Sequence, residues 1–473
     1  MSQPRKHVAL LPYPLFGHIT PLLQLARKIS AHHDVTFMTS ALRVQQLRHR
    51  GIFTAADEQH IRLVSLQDGV QESDDSEGTL GQMMELGEKT MTFTTSLFAT
   101  MPAAVDPHPD VDYRHLVDQP LHRPVDVIIG DLVAFFQVEL LTARGIRCFC
   151  FLSCSGLMLA NKLDIGSDTP VIPDAAFFSD WEAHEDLNVT GIPKAYKDMA
   201  DKYGGNFLKG FHHVAGYIVN SVEGLEEKVA KRFAEHSLTA NRPVRFVAPL
   251  FAEAEGGAKN AAETAANSLV DQWLDKQKER DVVYVSFGSY AVSQKDQTLE
   301  IAKALMSLDK PFIWSLKANQ QKLLSDDMKA LIEQQSASSK YLVLAWTPQR
   351  RILNHPATRL FVSHVGYNSL LEAFDAGVPL VSWPMFGDQF ANANMAQRLG
   401  NGLSLPATGM LFARVVPAAE VVEAVQKVGQ WDKPYAEGDY TQKALEISRV
   451  VKAAARPGGS SYEAFSQLVS CDI

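Results

Sequence analysis

Short apolar runs rich in β-branched residues alternate with longer amphipathic stretches along the whole chain. The clearest runs are HVALL at 7–11, VDVII at 125–129, VVYVS at 282–286 and LFVS at 360–363. Because these runs are almost continuously apolar, they are typical of strands that are covered on both faces. Their alternation with amphipathic helices predicts parallel sheets in α/β layers.

One segment interrupts this alternation and predicts how the chain divides. Residues 252–268, AEAEGGAKNAAETAANS, are small, polar and glycine-bearing, and they carry no strand signal. This composition is typical of an interdomain linker, although its alanines also allow a helix over part of it. We therefore expect an N-terminal domain over residues 1–251 and a C-terminal domain over residues 269–473, each of a size that suits a doubly wound sheet.

Composition and charge exclude several classes of protein. The formal net charge of −9 argues against a general affinity for nucleic acid or for an anionic membrane surface. The four cysteines are too few and too clustered for a disulfide framework. There is no signal-peptide pattern, and no apolar stretch approaches the ~20 residues that span a bilayer. We expect a reduced, cytoplasmic protein without a membrane span.

The first candidate catalytic residue is His18, which follows the first predicted strand in the sequence PLFGHITP. Thr20 and Pro21 suit the N-cap and the first residue of the next helix. This places His18 in a strand-to-helix loop at the carboxyl edge of the sheet, where α/β folds bind ligands. Asp131 follows another predicted strand at the same edge and could orient the imidazole for proton abstraction. A histidine that hydrogen-bonds the backbone and an ordinary turn aspartate are the alternatives.

A second candidate site lies within residues 346–389. There the strand LFVS ends in His364, and a glycine-bearing loop opens a helix that Gly377 is expected to end. The free N–H groups and the positive dipole end of such a helix suit a pyrophosphate. Ser369 and Glu372 also form an S-x-x-E capping box, which is a structural alternative for both residues.

The same segment closely resembles the plant secondary-product signature box of family-one UDP-dependent glycosyltransferases. WTPQ, NHPA, F-V-S-H-x-G-x-N-S, AGVP and DQ stand at the family's spacing. GHITP, YIVNSVEGLE, WLDKQ and GGSSYEAF, elsewhere in the chain, also resemble the family, so the resemblance covers nearly the whole chain. It implies an α/β fold of GT-B architecture, with two Rossmann-like doubly wound domains facing a central cleft and the last helix packing back on the N-terminal domain.

The resemblance also implies roles for the candidate residues. His18 is the expected general base, and Asp131 is its orienting partner. Trp346 is expected to stack on uracil, Gln349 to lie near the base and ribose, and Glu372 to accept hydrogen bonds from the ribose hydroxyls. The residues expected at the diphosphate are Gly288, Ser289, His364, Gly366, Asn368 and Ser369.

Two further residues are expected at the hydroxyls of the transferred sugar, Asp388 and Gln389. A terminal Gln in the box accompanies glucose in this family, so glucose is the expected sugar. Tyr367 stands where plant members usually have Trp, which leaves UDP-galactose, UDP-xylose and UDP-glucuronate open as donors.

The resemblance implies an inverting transferase that moves a hexose from a UDP-sugar onto a hydroxyl of a small lipophilic acceptor. We expect a monomer with no metal and no cofactor other than the donor. A non-catalytic UDP-sugar-binding protein is the alternative. A nicotinamide-dependent oxidoreductase is rejected, because Gly400-x-Gly402 lacks the third glycine and follows a helical stretch. The acceptor and the choice of O-, N- or S-transfer stay open, and residues 155–215 are expected to form the acceptor wall.

Overall fold

A computed structural model of the chain has two compact units. It describes residues 4–71, 80–103, 112–134, 138–157, 160, 212–236, 239–251, 261–288, 294–337, 339–408 and 414–473. The N-terminal unit takes its described residues from 4–160, 212–251 and 453–473, and the C-terminal unit takes them from 261–452.

The described N-terminal unit contains a seven-stranded parallel sheet in the order β3-β2-β1-β4-β5-β6-β7. The strands are β1 His7–Leu11, β2 Asp34–Ser40, β3 Ile61–Leu66, β4 Val127–Asp131, β5 Arg147–Leu152, β6 Gly216–Val219 and β7 Val244–Phe246. The helices are α1 Phe16–Ser30, α2 Ala41–His49, α3 Ala55–Glu58, α4 Leu80–Thr100, α5 Val138–Ala143 and α6 Glu227–Glu235, with 3-10 turns at Tyr113–Leu116 and Glu223–Leu225. Helix α1 packs on this sheet through a buried stripe at helical spacing, formed by Leu22, Leu25, Ala26 and Ile29.

The described C-terminal unit contains a six-stranded parallel sheet in the order β10-β9-β8-β11-β12-β13. The strands are β8 Val282–Ser286, β9 Phe312–Ser315, β10 Tyr341–Leu344, β11 Thr358–Ser363, β12 Leu380–Ser382 and β13 Gly402–Ser404. The helices are α7 Ala261–Leu274, α8 Lys295–Ser307, α9 Ala318–Gln321, α10 Asp326–Ala337, α11 Gln349–Asn354, α12 Tyr367–Ala376, α13 Gln389–Leu399, α14 Ala418–Gly429 and α15 Asp439–Ala455, with a 3-10 turn at Tyr435–Glu437.

These two parallel-sheet α/β units confirm the predicted fold class. In each sheet the strand order reverses beside one strand: β1 has β2 on one side and β4 on the other, and β8 has β9 and β11. Ligands of open α/β sheets bind at the carboxyl ends of the strands at such a reversal. The segments that follow β1, β4, β8 and β11 are therefore where the fold itself places candidate sites.

The two units include one segment at the predicted linker and one at the C-terminus. Residues 252–260 of the predicted linker lie outside the described residues, but its last part is already helix α7, because alanine favours helix and Val270, Trp273 and Leu274 are buried. At the other end, helix α16, Ser460–Gln467, and the π-helical turn Leu468–Asp472 belong to the N-terminal unit. There Arg245 forms a two-pronged ion pair with Asp472, with N···O distances of 2.6 and 3.1 Å.

Among the helices of the described segments, none is both long and apolar enough to cross a membrane.

Candidate active site

His18 lies in the first turn of helix α1, directly after β1. The prediction that this helix has Thr20 as N-cap and Pro21 as its first residue is wrong, because the carbonyl of Leu15 accepts the N–H groups of both His18 and Ile19 at 2.9 Å and the helix begins at Phe16. Pro21 is inside the helix, where it has no N–H group to donate to a carbonyl. The side chain of His18 is 25% exposed.

The carboxylate of Asp131 lies beside this imidazole. Asp131 is the last residue of β4 and is fully buried, with 0% exposure. Its Oδ2 atom lies 3.0 Å from His18 Nδ1, and its Oδ1 atom accepts the N–H of Val133 at 2.9 Å. The structure thus brings together the two residues that the shared sheet edge predicts. A carboxylate acts only as an acceptor, so its position assigns the proton of the neutral imidazole to Nδ1 and the lone pair to Nε2.

Ser153 is a third member of this group, and sequence reasoning missed it. It directly follows β5, and its Oγ atom lies 2.8 Å from His18 Nδ1. The available signal was its position, since β5 is the neighbour of β4 and Phe151 is paired with Asp131. The Tyr13 ring also makes a T-shaped contact with the imidazole, with ring centroids 5.4 Å apart.

In the C-terminal unit, Trp346 presents an exposed aromatic surface. It follows β10 and is 50% exposed, which is unusual for so large an apolar side chain. An exposed indole beside a ligand site offers a flat surface on which a nucleobase can stack.

A hydrogen-bonded chain begins next to Trp346, at Thr347, and connects β8, α11 and α12. Gln349, at the start of α11, donates from Nε2 to Ser369 Oγ at 2.9 Å and to Glu372 Oε2 at 2.7 Å. The hydroxyl of Tyr284 on β8 lies 3.3 Å from Gln349 Oε1 and 2.8 Å from Thr347 Oγ1. The amide of Gln349 is therefore held at both ends, and it fixes the carboxylate of Glu372.

The capping-box alternative for Ser369 and Glu372 is wrong. Helix α12 begins at Tyr367, and its N-cap is Gly366, which provides no side-chain cap. Ser369 lies inside the first turn, because the backbone turns into helix directly after the glycine. Gly377 ends the helix in the left-handed conformation, as predicted.

Burial controls the charge of Glu372. It raises the pKa of this carboxyl to about 7, while the hydrogen bond from Gln349 and the charge of Arg350 act in the opposite direction and Asp375 adds to the rise. A carboxylate whose pKa is close to neutrality binds hydroxyl donors and changes its charge in the same pH range.

The imidazole of His364 lies between two glycines, in the loop that joins β11 to α12. A Cβ atom built on Gly288 or on Gly366 would lie 2.6 Å from His364 Nε2. Burial lowers the pKa of His364 to about 4, and the carbonyl of Ser286 partly opposes this. The imidazole is therefore neutral near pH 7 and can donate one hydrogen bond at the N-terminus of a helix.

Val365 in the same loop adopts a left-handed backbone with φ of 52°. This conformation is strained for a β-branched residue. Its N–H donates to Ser363 Oγ at 3.0 Å, and its carbonyl accepts from Asn392 Nδ2 at 3.0 Å. These contacts hold the loop that the sequence assigns to the diphosphate.

The two residues expected at the sugar also form hydrogen bonds within the segment in which they lie. Gln389 is 4% exposed, and its Oε1 atom accepts the N–H groups of Met385 at 2.8 Å and Phe386 at 3.2 Å. Asp388, the N-cap of α13, accepts from Asn392 Nδ2 at 2.9 Å. The amide of Gln389 is oriented by these bonds, so its N–H donors, not its oxygen, are the groups it offers to a ligand.

The remaining expected positions fall into three groups. Asn368 is half-buried in the first turn of α12, and Tyr367 is buried. Ser289, together with most of residues 155–215, lies outside the described residues. Among the residues that are described, no group of three or more His, Cys, Asp or Glu side chains could hold a metal ion.

The chain is similar to known proteins along its length. Residues 225–438 match the family model described as "UDP-glucoronosyl and UDP-glucosyl transferase". A nuatigenin 3-beta-glucosyltransferase of Solanum aculeatissimum is 34% identical over 218 residues, a match that spans 44% of this chain and 43% of that protein. UDP-glycosyltransferase 73C6 of Arabidopsis thaliana is 26% identical over 98% of this chain and 95% of its own.

Solved structures show the same fold. The crystal structure of UGT71G1 of Medicago truncatula complexed with UDP-glucose aligns with a TM-score of 0.76 and 23% identity, over 99% of this chain and 98% of that one. The architecture is therefore GT-B. Residues 225–438 are similar to the UDP-glucoronosyl and UDP-glucosyl transferase family, and relatives that align with nearly the whole chain are UDP-glycosyltransferases, so the chain is a UDP-glycosyltransferase.

Proposed function

We propose that this UDP-glycosyltransferase moves glucose from UDP-glucose onto a hydroxyl of a small lipophilic acceptor, with His18 as general base. The observation that carries the proposal is the contact of 3.0 Å between His18 Nδ1 and the buried carboxylate of Asp131. A protein that only bound a UDP-sugar would have no need for a histidine whose tautomer is fixed in this way.

The chemical step follows from that tautomer. Nε2 of His18 accepts the proton of the acceptor hydroxyl, and the oxygen attacks the anomeric carbon on the face opposite the UDP. The bond between this carbon and the diphosphate oxygen breaks, its electron pair leaves with UDP, and the configuration inverts. Asp131 stabilises the imidazolium that forms. Loss of the base is expected to reduce kcat by ~10²–10⁴.

The C-terminal unit supplies the donor contacts in this proposal. Trp346 stacks on uracil, and Glu372, held by Gln349, accepts the ribose hydroxyls. The N-terminus of α12, with Asn368, Ser369 and the loop residues Gly288, Ser289, His364 and Gly366, neutralises the charge that develops on the diphosphate. These fixed donors would replace a divalent metal.

Glucose is proposed as the sugar on two grounds. Asp388 and Gln389 are oriented at the end of the signature segment, and Gln389 presents N–H donors to sugar hydroxyls. One relative is named a glucosyltransferase, and one structural neighbour holds UDP-glucose. Nuatigenin in that relative's name supports a lipophilic hydroxyl compound as the acceptor.

The proposal includes a monomer that works in the cytoplasm. Cys148, Cys150 and Cys154 are buried, and burial raises the pKa of the Cys148 and Cys150 thiols. Such thiols are inert core groups, and they agree with a reduced chain.

The test is an assay with UDP-glucose, a panel of phenols and aliphatic alcohols, and a chelator. UDP release and acceptor mass are measured for the wild type, for His18→Ala, and for His60→Ala, which removes an exposed histidine of the same unit. We expect products heavier by one hexose from the wild type and from His60→Ala, and almost none from His18→Ala. Full activity of His18→Ala would refute the base. Product only with another UDP-sugar would correct the donor, and UDP binding without any product would favour a binding protein.

A further inference from the structure

We propose that Ser153 is a positioning residue that shares the Nδ1 proton of His18 with Asp131, and this inference rests on the proposed role of His18 as base. Ser153 Oγ and Asp131 Oδ2 lie 2.8 and 3.0 Å from the same nitrogen. Two acceptors around one N–H hold the plane of the ring more firmly than a single acceptor does.

The backbone on both sides of Ser153 is fixed by the fold. Upstream, the carbonyls at the end of β5 are bonded to both neighbouring strand ends: Leu132 N–H to Phe151 at 2.8 Å, and Asn220 N–H to Leu152 at 2.9 Å. Ser153 therefore leaves the sheet where the two neighbouring strands, β4 and β6, also end, and its side chain is buried.

Downstream, the buried carboxylate of Glu226 holds the turn that follows Ser153. It accepts the N–H groups of Gly156 at 3.0 Å and Leu157 at 2.7 Å, and the hydroxyl of Ser221 donates to it. A Cβ on Gly156 would lie 2.9 Å from the Phe246 ring, so the turn approaches β7 closely. Oγ of Ser153 is thus carried on a segment that is fixed at both ends.

The chemistry of the two acceptors determines which protonation state of His18 is stabilised by Ser153. Because Asp131 can only accept, Nδ1 carries the proton and Ser153 accepts its second branch. When Nε2 takes the acceptor proton, the same Nδ1–H becomes part of a cation, and both bonds strengthen. Ser153 thereby stabilises the imidazolium more than the neutral ring.

Without Asp131, the effect of the same hydroxyl reverses. Its O–H would then donate to Nδ1, which moves the ring proton to Nε2 and removes the lone pair that acts as base. Ser153 is therefore expected to help catalysis when Asp131 is present and to hinder it when Asp131 is absent. A serine that only packs or caps the turn would show no such reversal.

The other titratable groups near this site do not interfere with the pH dependence of kcat/KM as a measure of His18. Tyr13 faces the imidazole from the segment before α1, and Cys150 lies on β5 near Asp131. Phenols and thiols titrate above the range of histidine, so among the described groups that contact His18 the negative charge in that range is Asp131.

The experiment compares Ser153→Ala with Ser153→Thr, which keeps a hydroxyl, and with Ser155→Ala, which removes a buried hydroxyl two residues further on. For Ser153→Ala we expect kcat to fall by about 2- to 10-fold, the size of one hydrogen bond. KM for UDP-glucose should stay unchanged, and the acid limb of kcat/KM should move to lower pH. Ser153→Thr should return the acid limb of kcat/KM to its wild-type pH, and Ser155→Ala should leave the limb at that pH.

The decisive arm is the pair Asp131→Ala and Asp131→Ala/Ser153→Ala, in which loss of the hydroxyl should raise kcat. An unmoved acid limb in Ser153→Ala, or an equal loss of kcat in both backgrounds, would overturn the inference. If the alanine variant does not fold, Ser153→Cys replaces it, because a thiol keeps the volume and accepts weakly. An active His18→Ala enzyme would refute the proposed function, whereas an inactive one beside a wild-type-like Ser153→Ala would refute only this inference.

Discussion

The imidazole of His364 occupies the space that a Cβ atom on Gly366 would need, since that atom would lie 2.6 Å from Nε2 and 3.3 Å from Cδ2. The backbone of Gly366, with φ of −53° and ψ of 143°, is open to any residue. Its lack of a side chain therefore serves the histidine and not the turn. We predict that Gly366→Ala displaces His364 and weakens UDP-glucose binding by about 1–3 kcal/mol, the usual effect of overpacking.

Calorimetric titration with UDP-glucose measures this effect, and the double variant His364→Ala/Gly366→Ala is its control. Removal of the ring leaves room for the new methyl group, so Gly366→Ala should have no further effect in the His364→Ala background. Equal losses of affinity in both backgrounds would show that the glycine acts through the backbone or through a direct contact with the ligand.

The raised pKa of Glu372 predicts that donor binding depends on pH. Ribose hydroxyls donate to the ionised carboxylate, and this form becomes predominant only above the pKa of about 7. The affinity for UDP-glucose should therefore fall as pH is lowered from 8 to 6, by at most about tenfold per pH unit. His364, with a pKa of about 4, does not titrate in this window.

The variant Glu372→Gln should bind more weakly and without this pH dependence, whereas Glu333→Gln, on the exposed face of α10, should keep the wild-type profile. UDP-glucose is the ligand of choice because its esterified diphosphate has no proton to lose near neutrality. The stability of the unliganded protein depends on pH in the opposite direction. Because the pKa of Glu372 is higher in the folded than in the unfolded chain, this group favours folding below pH 4.5, and its contribution is lost as pH rises through about 7. A flat affinity profile for the wild type would contradict the assignment.

The hydroxyl of Tyr284 is predicted to support the donor site from beneath. It bonds Thr347 and Gln349, and its ring is stacked on Phe361 with centroids 4.7 Å apart. Tyr284→Phe keeps the ring and releases the amide of Gln349, so KM for UDP-glucose should rise by about 2- to 10-fold. Tyr341→Phe is the matched control, because this tyrosine is also stacked on a phenylalanine and its hydroxyl donates to the Met306 carbonyl, at 3.4 Å. Equal effects of the two changes would show a general loss of packing.

The fold was predictable because its strands are nearly uniform in composition. Apolar runs covered on both faces are visible in the sequence, and the order of strands and helices then allows few arrangements. The start of α1 was not predictable in the same way. Thr20 and Pro21 form a good local helix start. In the folded chain the helix has already begun before them, because the carbonyl of Leu15 accepts the N–H groups of the first turn.

The candidate site was predictable where residues end neighbouring strands and unpredictable where two helices meet. His18 and Asp131 follow from the shared sheet edge, and Ser153 could have been found by the same argument. The bond between Gln349 and Glu372 depends on how α11 packs against α12, which no local pattern encodes. The sequence pattern therefore allowed Glu372 to be interpreted as part of a capping box, and the contacts of this residue do not support that interpretation.

The exposed indole of Trp346 predicts a large and specific loss of donor binding. A tryptophan that is 50% exposed contributes little to the core, so Trp346→Ala should leave the melting temperature nearly unchanged. Loss of a base-stacking surface should weaken UDP and UDP-glucose binding alike, by about 1–3 kcal/mol. Trp346→Phe, which keeps a smaller aromatic face, should recover part of the affinity. Tyr462→Ala, which removes an aromatic that is 45% exposed in the N-terminal unit, is the control and should bind as the wild type does. If Trp346→Ala binds UDP normally but unfolds earlier, the indole is a structural residue and the uracil must stack elsewhere.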